Sequence, residues 1–179
     1  MKNLPKISTF ALAFLIFTGC STFPNQSLVG KQFPDVQGTS LDGKSWYMPK
    51  DFRGEPTLLL LGYKHKSQFD IDRWLIGLDM KKATIPTYEL PTISGMFPQM
   101  FSTLIDGGMR KGIPKPLWKG VITVYKDGEL LQRFTGNDRP RGSRVILLDK
   151  NAKIVYFHDY GFSVEELNKV LQIYESLEK

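Results

Sequence analysis

The order of apolar patterns along the chain predicts an α/β domain, a central mixed β-sheet with helices on both faces. Three observations carry this. Thr57, Leu58, Leu59, Leu60 and Leu61 form an unbroken run between Pro56 and Gly62, the pattern of a central strand buried on both faces. Ile71, Trp74, Leu75 and Leu78 follow at i, i+3, i+4 and i+7, one apolar stripe of a helix. Residues 84–90 then read as a second strand, which a right-handed crossover would set parallel and adjacent to the first.

The other elements follow in order. Asp42-Gly43 supplies the turn of an early hairpin. Ser67 is placed to cap the first long helix, with Asp70 and Asp72 near its positive end. Phe97, Met100, Phe101, Leu104 and Ile105 repeat the helical stripe, and Gly107-Gly108 would end that helix. Phe97 and Phe101 are expected in the core. Residues 121–125 and 130–134, joined at Asp127-Gly128, read as a strand pair. Residues 145–148 and 154–157 flank Lys150, Asn151, Ala152 and Lys153 as a second hairpin. Ser163-Val164-Glu165-Glu166 is a capping box that opens the last helix, with Leu167, Val170, Leu171, Tyr174 and Leu177 as its stripe.

The N-terminus reads as an address. Lys2 and Lys6 precede eight apolar residues, Phe10 to Phe17, and then Thr18-Gly19-Cys20. Eight residues span about 12 Å as a helix, too little for a hydrocarbon core of about 30 Å, so this is a signal peptide. Phe17-Thr18-Gly19-Cys20 resembles a bacterial lipobox, with Phe where Leu is usual, which implies cleavage before Cys20 and its acylation. Ser21 resembles the outer-membrane sorting signal of enteric bacteria. The expected organisation is a signal peptide over 1–19, a lipidated cysteine and tether over 20–29, and one domain over 30–179. The expected place is the bacterial cell envelope, at the outer membrane or the periplasmic face of the inner membrane, held through N-terminal lipid.

Composition supports one globular domain. The 179 residues are 41% apolar, 23% charged and 12% aromatic, which excludes a collagen-like, disulfide-dense or wholly disordered chain. Cys20 is the one cysteine, so neither an internal disulfide nor a multi-cysteine metal site is available. Loss of Lys2 and Lys6 with the leader takes the formal net charge from +6 to +4. That is too modest to indicate nucleic acid, and no nucleic-acid partner is expected; a weak pull toward anionic headgroups is what the charge supports.

The text resembles the thioredoxin-like superfamily. Gly30-Lys31-Gln32-Phe33-Pro34-Asp35 is similar to the opening of peroxiredoxins and thiol-disulfide lipoproteins, and Leu41-Asp42-Gly43-Lys44 to their first hairpin. Asp51-Phe52-Arg53-Gly54-Glu55-Pro56 resembles the approach to their central strand, and Leu148-Asp149-Lys150-Asn151-Ala152-Lys153-Ile154-Val155-Tyr156 their second hairpin. A narrower resemblance is to the thioredoxin-like ATP synthase assembly factors of mitochondria. It rests on Gly108-Met109-Arg110-Lys111-Gly112-Ile113-Pro114, Thr135-Gly136-Asn137-Asp138, Ile146-Leu147-Leu148-Asp149 and Gly161-Phe162-Ser163-Val164-Glu165-Glu166-Leu167. That family assembles a membrane complex without a redox-active cysteine pair.

In redox members the cysteines stand where the first helix begins, and the helix end favours the thiolate that attacks a disulfide. The matching stretch here is Gly62-Tyr63-Lys64-His65-Lys66-Ser67-Gln68, with no cysteine. The expectation is therefore no catalytic residue, no cofactor and no enzyme. Ser143 or Arg144 falls where the superfamily places a cis-proline or an active-site arginine.

A binding or assembly role at this pole is expected, with a protein partner met by Tyr63, Lys64, His65, Lys66, Gln68, Trp118, Arg139, Arg141, Arg144 and His158. Trp118 lies outside any stripe, open to packing or to a binding groove. Two alternatives stay open: a copper- or zinc-handling protein using His65 and His158, and an enzyme of unknown non-redox reaction.

Overall fold

The computed structural model describes residues 22–178. The signal peptide and Cys20 lie outside the described residues.

The core of the fold is a mixed sheet in the order β4-β3-β6-β7. β3 (Thr57–Gly62) is central, and all six of its residues are buried. It runs parallel to β4 (Thr87–Pro91) and antiparallel to β6 (Arg144–Leu148), which pairs with β7 (Ile154–His158). A second sheet, β2-β1-β5, is built from β1 (Val36–Ser40), β2 (Ser45–Met48) and the short β5 (Ile122–Thr123). Parallel bridges Glu89–Val121 and Thr92–Val124 join its edge to the β4 side.

Strand alternation divides the leucine run between two cores. Leu58 and Leu60 meet α1 (Gln68–Met80) and α5 (Val164–Leu177) through Ile71, Trp74, Leu78, Leu167 and Val170. Leu59 and Leu61 meet the other layer, with Phe33, Trp46, Phe52, Val124 and Leu131. Removing any of these side chains to alanine costs about 2–5 kcal/mol. Ser163 opens α5 as expected, its Oγ accepting from Glu166 N at 3.1 Å. The reciprocal half of the capping box is not made, because Glu166 accepts from Tyr156 OH at 2.5 Å instead.

Four expectations are corrected. Residues 130–134 are not a strand: Gly128–Thr135 is a helix, α4, with Gly128, Leu131, Gln132 and Thr135 buried at helical spacing. The Asp127 carboxylate at its start accepts from Gln37 N at 2.8 Å. Second, the expected single helix around Phe97 is two, α2 (Met96–Met100) and α3 (Ser102–Gly112), broken at Phe101, and α3 runs through Gly107-Gly108. Phe97 and Phe101 are exposed rather than core. Third, Ser67 does not cap α1; its Oγ donates to Lys64 O at 2.6 Å in the turn before it.

Fourth, the expected tether is docked from Phe23 on. Phe23 N donates to Asn137 Oδ1 at 2.6 Å, Asn25 N donates to Asp138 Oδ2 at 3.0 Å, and Leu28 is fully buried. Gly136 permits this contact: a Cβ there would stand 2.3 Å from Asn25 Cα. Its φ of +81° is also a conformation that favours glycine.

Candidate functional site

The sheet ends in two distinct arrangements at the carboxyl ends of β3 and β4, the crevice where open α/β sheets place ligands.

The first is a cavity of about 800 Å3. One wall is the turn and start of α1, with Lys64, His65 and Gln68; the other is Ile105, Met109 and Ile113 on and after α3. Glu89 on β4 lines it and is buried. Burial pushes the Glu89 carboxyl up to about 7, with the Asp72 charge adding and the Gln68 hydrogen bond opposing. Gln68 Nε2 reaches Asp72 Oδ1 at 3.0 Å and Glu89 Oε2 at 3.4 Å. A buried carboxyl pushed up to about 7 in a cavity can hold or yield a proton, or meet a cationic group.

The second is closed. Tyr63, last before the turn, is buried, and its hydroxyl shares a hydrogen bond with Thr135 Oγ1. Burial pushes that hydroxyl up to about 12. The Arg144 guanidinium lies 4.7 Å from the Tyr63 ring centre and has 0% exposure. Arg144 Nη1 donates to Arg139 O at 2.6 Å and Gly142 O at 3.0 Å, while Nε and Nη2 have no hydrogen-bond partner among the described residues. Burial lowers its pKa, against the charges of Asp159 and Asp138. Asn25 Nδ2 donates to Asp159 Oδ2, so the docked N-terminal segment covers this charged cluster.

The expected site residues therefore separate. Tyr63, Lys64, His65 and Gln68 line the cavity, and Lys66 is exposed beside them. Arg144 is not the surface group expected, because β6 carries it under the Tyr63 ring. Arg139 and Arg141 are exposed, Arg139 over the Tyr160 ring at 4.2 Å. Trp118 is half-buried and donates from Nε1 to Ile113 O at 2.8 Å. His158 turns to the α1–α5 layer, with a ring nitrogen 2.7 Å from Gly161 O and Nδ1 3.7 Å from Glu166. His65 and His158 thus face different surroundings and do not form one metal site. Among the described residues no three His, Cys, Asp or Glu side chains gather closely enough to hold a metal.

Two residues escaped sequence reasoning. In the sequence Asp70 stands out only as a charge at a helix start. It is buried, and accepts from Ser143 N at 3.0 Å, Ser143 Oγ at 2.6 Å and Phe162 N at 2.8 Å, pinning α1 to both loops of the pole. Glu89 had a signal: a charged residue inside a strand that is otherwise apolar near its end.

The order of strands, the parallel β3–β4 pair and the helices on both faces match solved structures over most of the chain. A pneumococcal exposed lipoprotein thioredoxin from Streptococcus pneumoniae is 18% identical, with a TM-score of 0.55 over 80% of this chain and 100% of that one. The fold is thioredoxin-like.

A thiol peroxidase from Chromobacterium violaceum is 12% identical, with a TM-score of 0.56 over 87% of this chain and 92% of that one. A SCO1/SenC family lipoprotein from Bacillus anthracis is 12% identical, with a TM-score of 0.54 over 87% and 100%. No family model and no curated protein sequence matches the chain. The expectation that the chain is no enzyme is overturned here. The thioredoxin-like fold it shares is also that of a thiol peroxidase, so a helix start without cysteine does not set the chain apart from an enzyme fold. Among the described residues no helix is long and apolar enough to cross a membrane.

Proposed function

We propose that the chain is a lipid-anchored cell-envelope protein whose thioredoxin-like domain binds a segment of a partner protein in an assembly or chaperone-like role. The cavity of about 800 Å3 between the start of α1 and α3 carries this reading. Its size suits a few side chains, and a polar wall at the start of α1 facing the apolar Ile105, Met109 and Ile113 is that of a binding cleft. Three residues expected to meet a partner, Lys64, His65 and Gln68, line it together. The lipobox-like stretch ending at Cys20, and the two lipoproteins among the structures of the same fold, support the address.

The test is site-specific photo-cross-linking of the full-length chain in native membranes. Probes replace Gln68 and Met109, one on each wall, and Tyr160, an exposed position outside the cavity. The expected result is the same partner from both walls, none from Tyr160, and loss of the product in Ile105→Glu. No product from either wall, or equal capture from Tyr160, overturns the reading.

A further inference from the structure

The segment from α2 to the turn after α3 is unlike the rest of the domain. α2, α3 and the 3-10 helix Lys115–Gly120 contain no buried residue. Ile105 and Met109 face the cavity, while the outer face presents Met96, Phe97, Met100 and Leu104, each at least 70% exposed. Phe101 is 54% exposed and Leu117 59%. A cluster of large apolar side chains held in water marks a surface that something covers.

The charges around it choose the occupant. From 96 to 120 there are four basic residues, Arg110, Lys111, Lys115 and Lys119, and one acid, Asp106. Asp106 accepts from Tyr125 OH at 2.7 Å, and Arg110 Nε donates to Leu41 O at 2.7 Å, so both turn toward the body. Lys111, Lys115 and Lys119 are left exposed. Lys111 lines a shallow hollow of about 490 Å3 together with Met100, Phe101 and Leu104. Apolar Met, Phe and Leu side chains bordered by Lys111, with Lys115 and Lys119 exposed on the turn that follows α3, match the acyl boundary and anionic headgroups of a bilayer.

The attachment of the chain agrees with this. The segment that leads from the apolar run 10–17 joins the domain at Phe23, on Asn137 just past the end of α4. α4 in turn packs on the strand exit that leads into α2, where Gln132 Nε2 donates to Thr92 O at 3.3 Å and Ser94 Oγ at 3.1 Å.

We propose that the outer face of α2–α3, with Lys111, Lys115 and Lys119, docks on an anionic lipid surface and holds the cavity mouth beside the membrane. Each lysine near an anionic leaflet favours association about fivefold, so three together dominate the salt- and lipid-dependent part of the contact.

The test uses the full-length chain on vesicles of phosphatidylcholine alone, or with about 30% phosphatidylglycerol to set a negative surface potential. A tryptophan probe is added by Phe101→Trp on the outer face, or by Ile76→Trp on the exposed side of α1, and quenching by brominated lipid is read against the parent chain. Both proteins carry the same N-terminal anchor, so tethering alone affects both equally. The expected result is quenching at Phe101→Trp at least about threefold above Ile76→Trp on the anionic vesicles. Lys111→Glu/Lys115→Glu/Lys119→Glu should bring it down to the Ile76→Trp level, with an unchanged circular dichroism spectrum. Equal quenching at the two probes, or quenching indifferent to the charge reversals, overturns the proposal. So does a concentration-dependent dimer that shields Phe101→Trp from the brominated lipid, which would make a second copy the occupant.

Discussion

α1 and the α2–α3 pair carry the same kind of apolar spacing and end in opposite surroundings. α1 lays Ile71, Trp74 and Leu78 on Leu58 and Leu60 of β3 and buries all three. α2 and α3 bury nothing. The difference comes from what meets each helix. α1 is fastened at its start by Asp70, which accepts three hydrogen bonds from the loops at 143 and 162. α3 spans a cavity instead, and Gly108 and Gly112 bring no side chain to fill it. Periodicity establishes that a face is apolar; the neighbours decide whether that face meets core, ligand or lipid.

The sharpest way to break the comparison is Trp74. Its ring is fully buried and packs edge-on against Phe162 at 5.5 Å. Trp74→Ala should cost about 3–5 kcal/mol in denaturant unfolding. Trp74 Nε1 has no hydrogen-bond partner among the described residues, so Trp74→Phe gives up area but no bond and should cost far less. If the two variants lose equally, the packing account of α1 fails.

Asp70 comes next. Asp70→Ala strands the buried Ser143 N–H and frees the Phe162 N–H, and should cost about 3 kcal/mol. Asp70→Asn keeps an acceptor oxygen and should recover part of that. A loss near zero would show that α1 is held by its apolar face alone.

The fold was legible because its signals are local. Four adjacent leucines require a strand with two buried faces, and the 145–148 and 154–157 runs could pair only across the turn between them. The residues of α4 read as a strand because Leu130, Leu131 and Phe134 satisfy a strand pattern as well as a helical one over so short a stretch. The site was legible only along one turn. Residues 63–68 stay together because they are contiguous, whereas Arg144, Trp118 and His158 are placed by β6, the turn after α3 and β7, whose side-chain directions no spacing rule fixes. The docking of Asn25 on Asp138 and Asp159 depends on contacts more than a hundred residues apart, and a polar N-terminal segment carries no mark of it.

Glu89 tests the cavity side of the comparison through pH. Its carboxyl is raised from 4.5 to about 7 by burial, so the folded state holds a proton that the unfolded state releases between those values. The native chain then binds more protons than the unfolded one, and stability falls as pH rises from about 4.5 to about 7, levelling above. Asp72 adds negative charge nearby, and Lys64 and His65 line the same cavity. Glu89→Gln removes the titration. It should flatten the profile and leave the variant about 3 kcal/mol more stable than the parent above pH 7. Parallel profiles for the two proteins would mean that Glu89 is ionised and solvated throughout.

The smallest expected effect decides whether α2–α3 is a surface or a displaced piece of core. Phe97→Ser and Leu104→Ser each remove a side chain that is 75% exposed. Little apolar area returns to water on unfolding, so each should change stability by less than about 0.5 kcal/mol. The same substitutions at Ile71 or Leu78, on the equivalent stripe of α1, should cost several times more, because those side chains are buried. A loss above about 2 kcal/mol at Phe97 or Leu104 would mean that this face is covered within the folded chain, and no apolar surface would remain to dock. A near-zero loss leaves a face whose side chains add nothing to folding. Large Met, Phe and Leu side chains clustered in water at no benefit to stability are the mark of a surface available for docking.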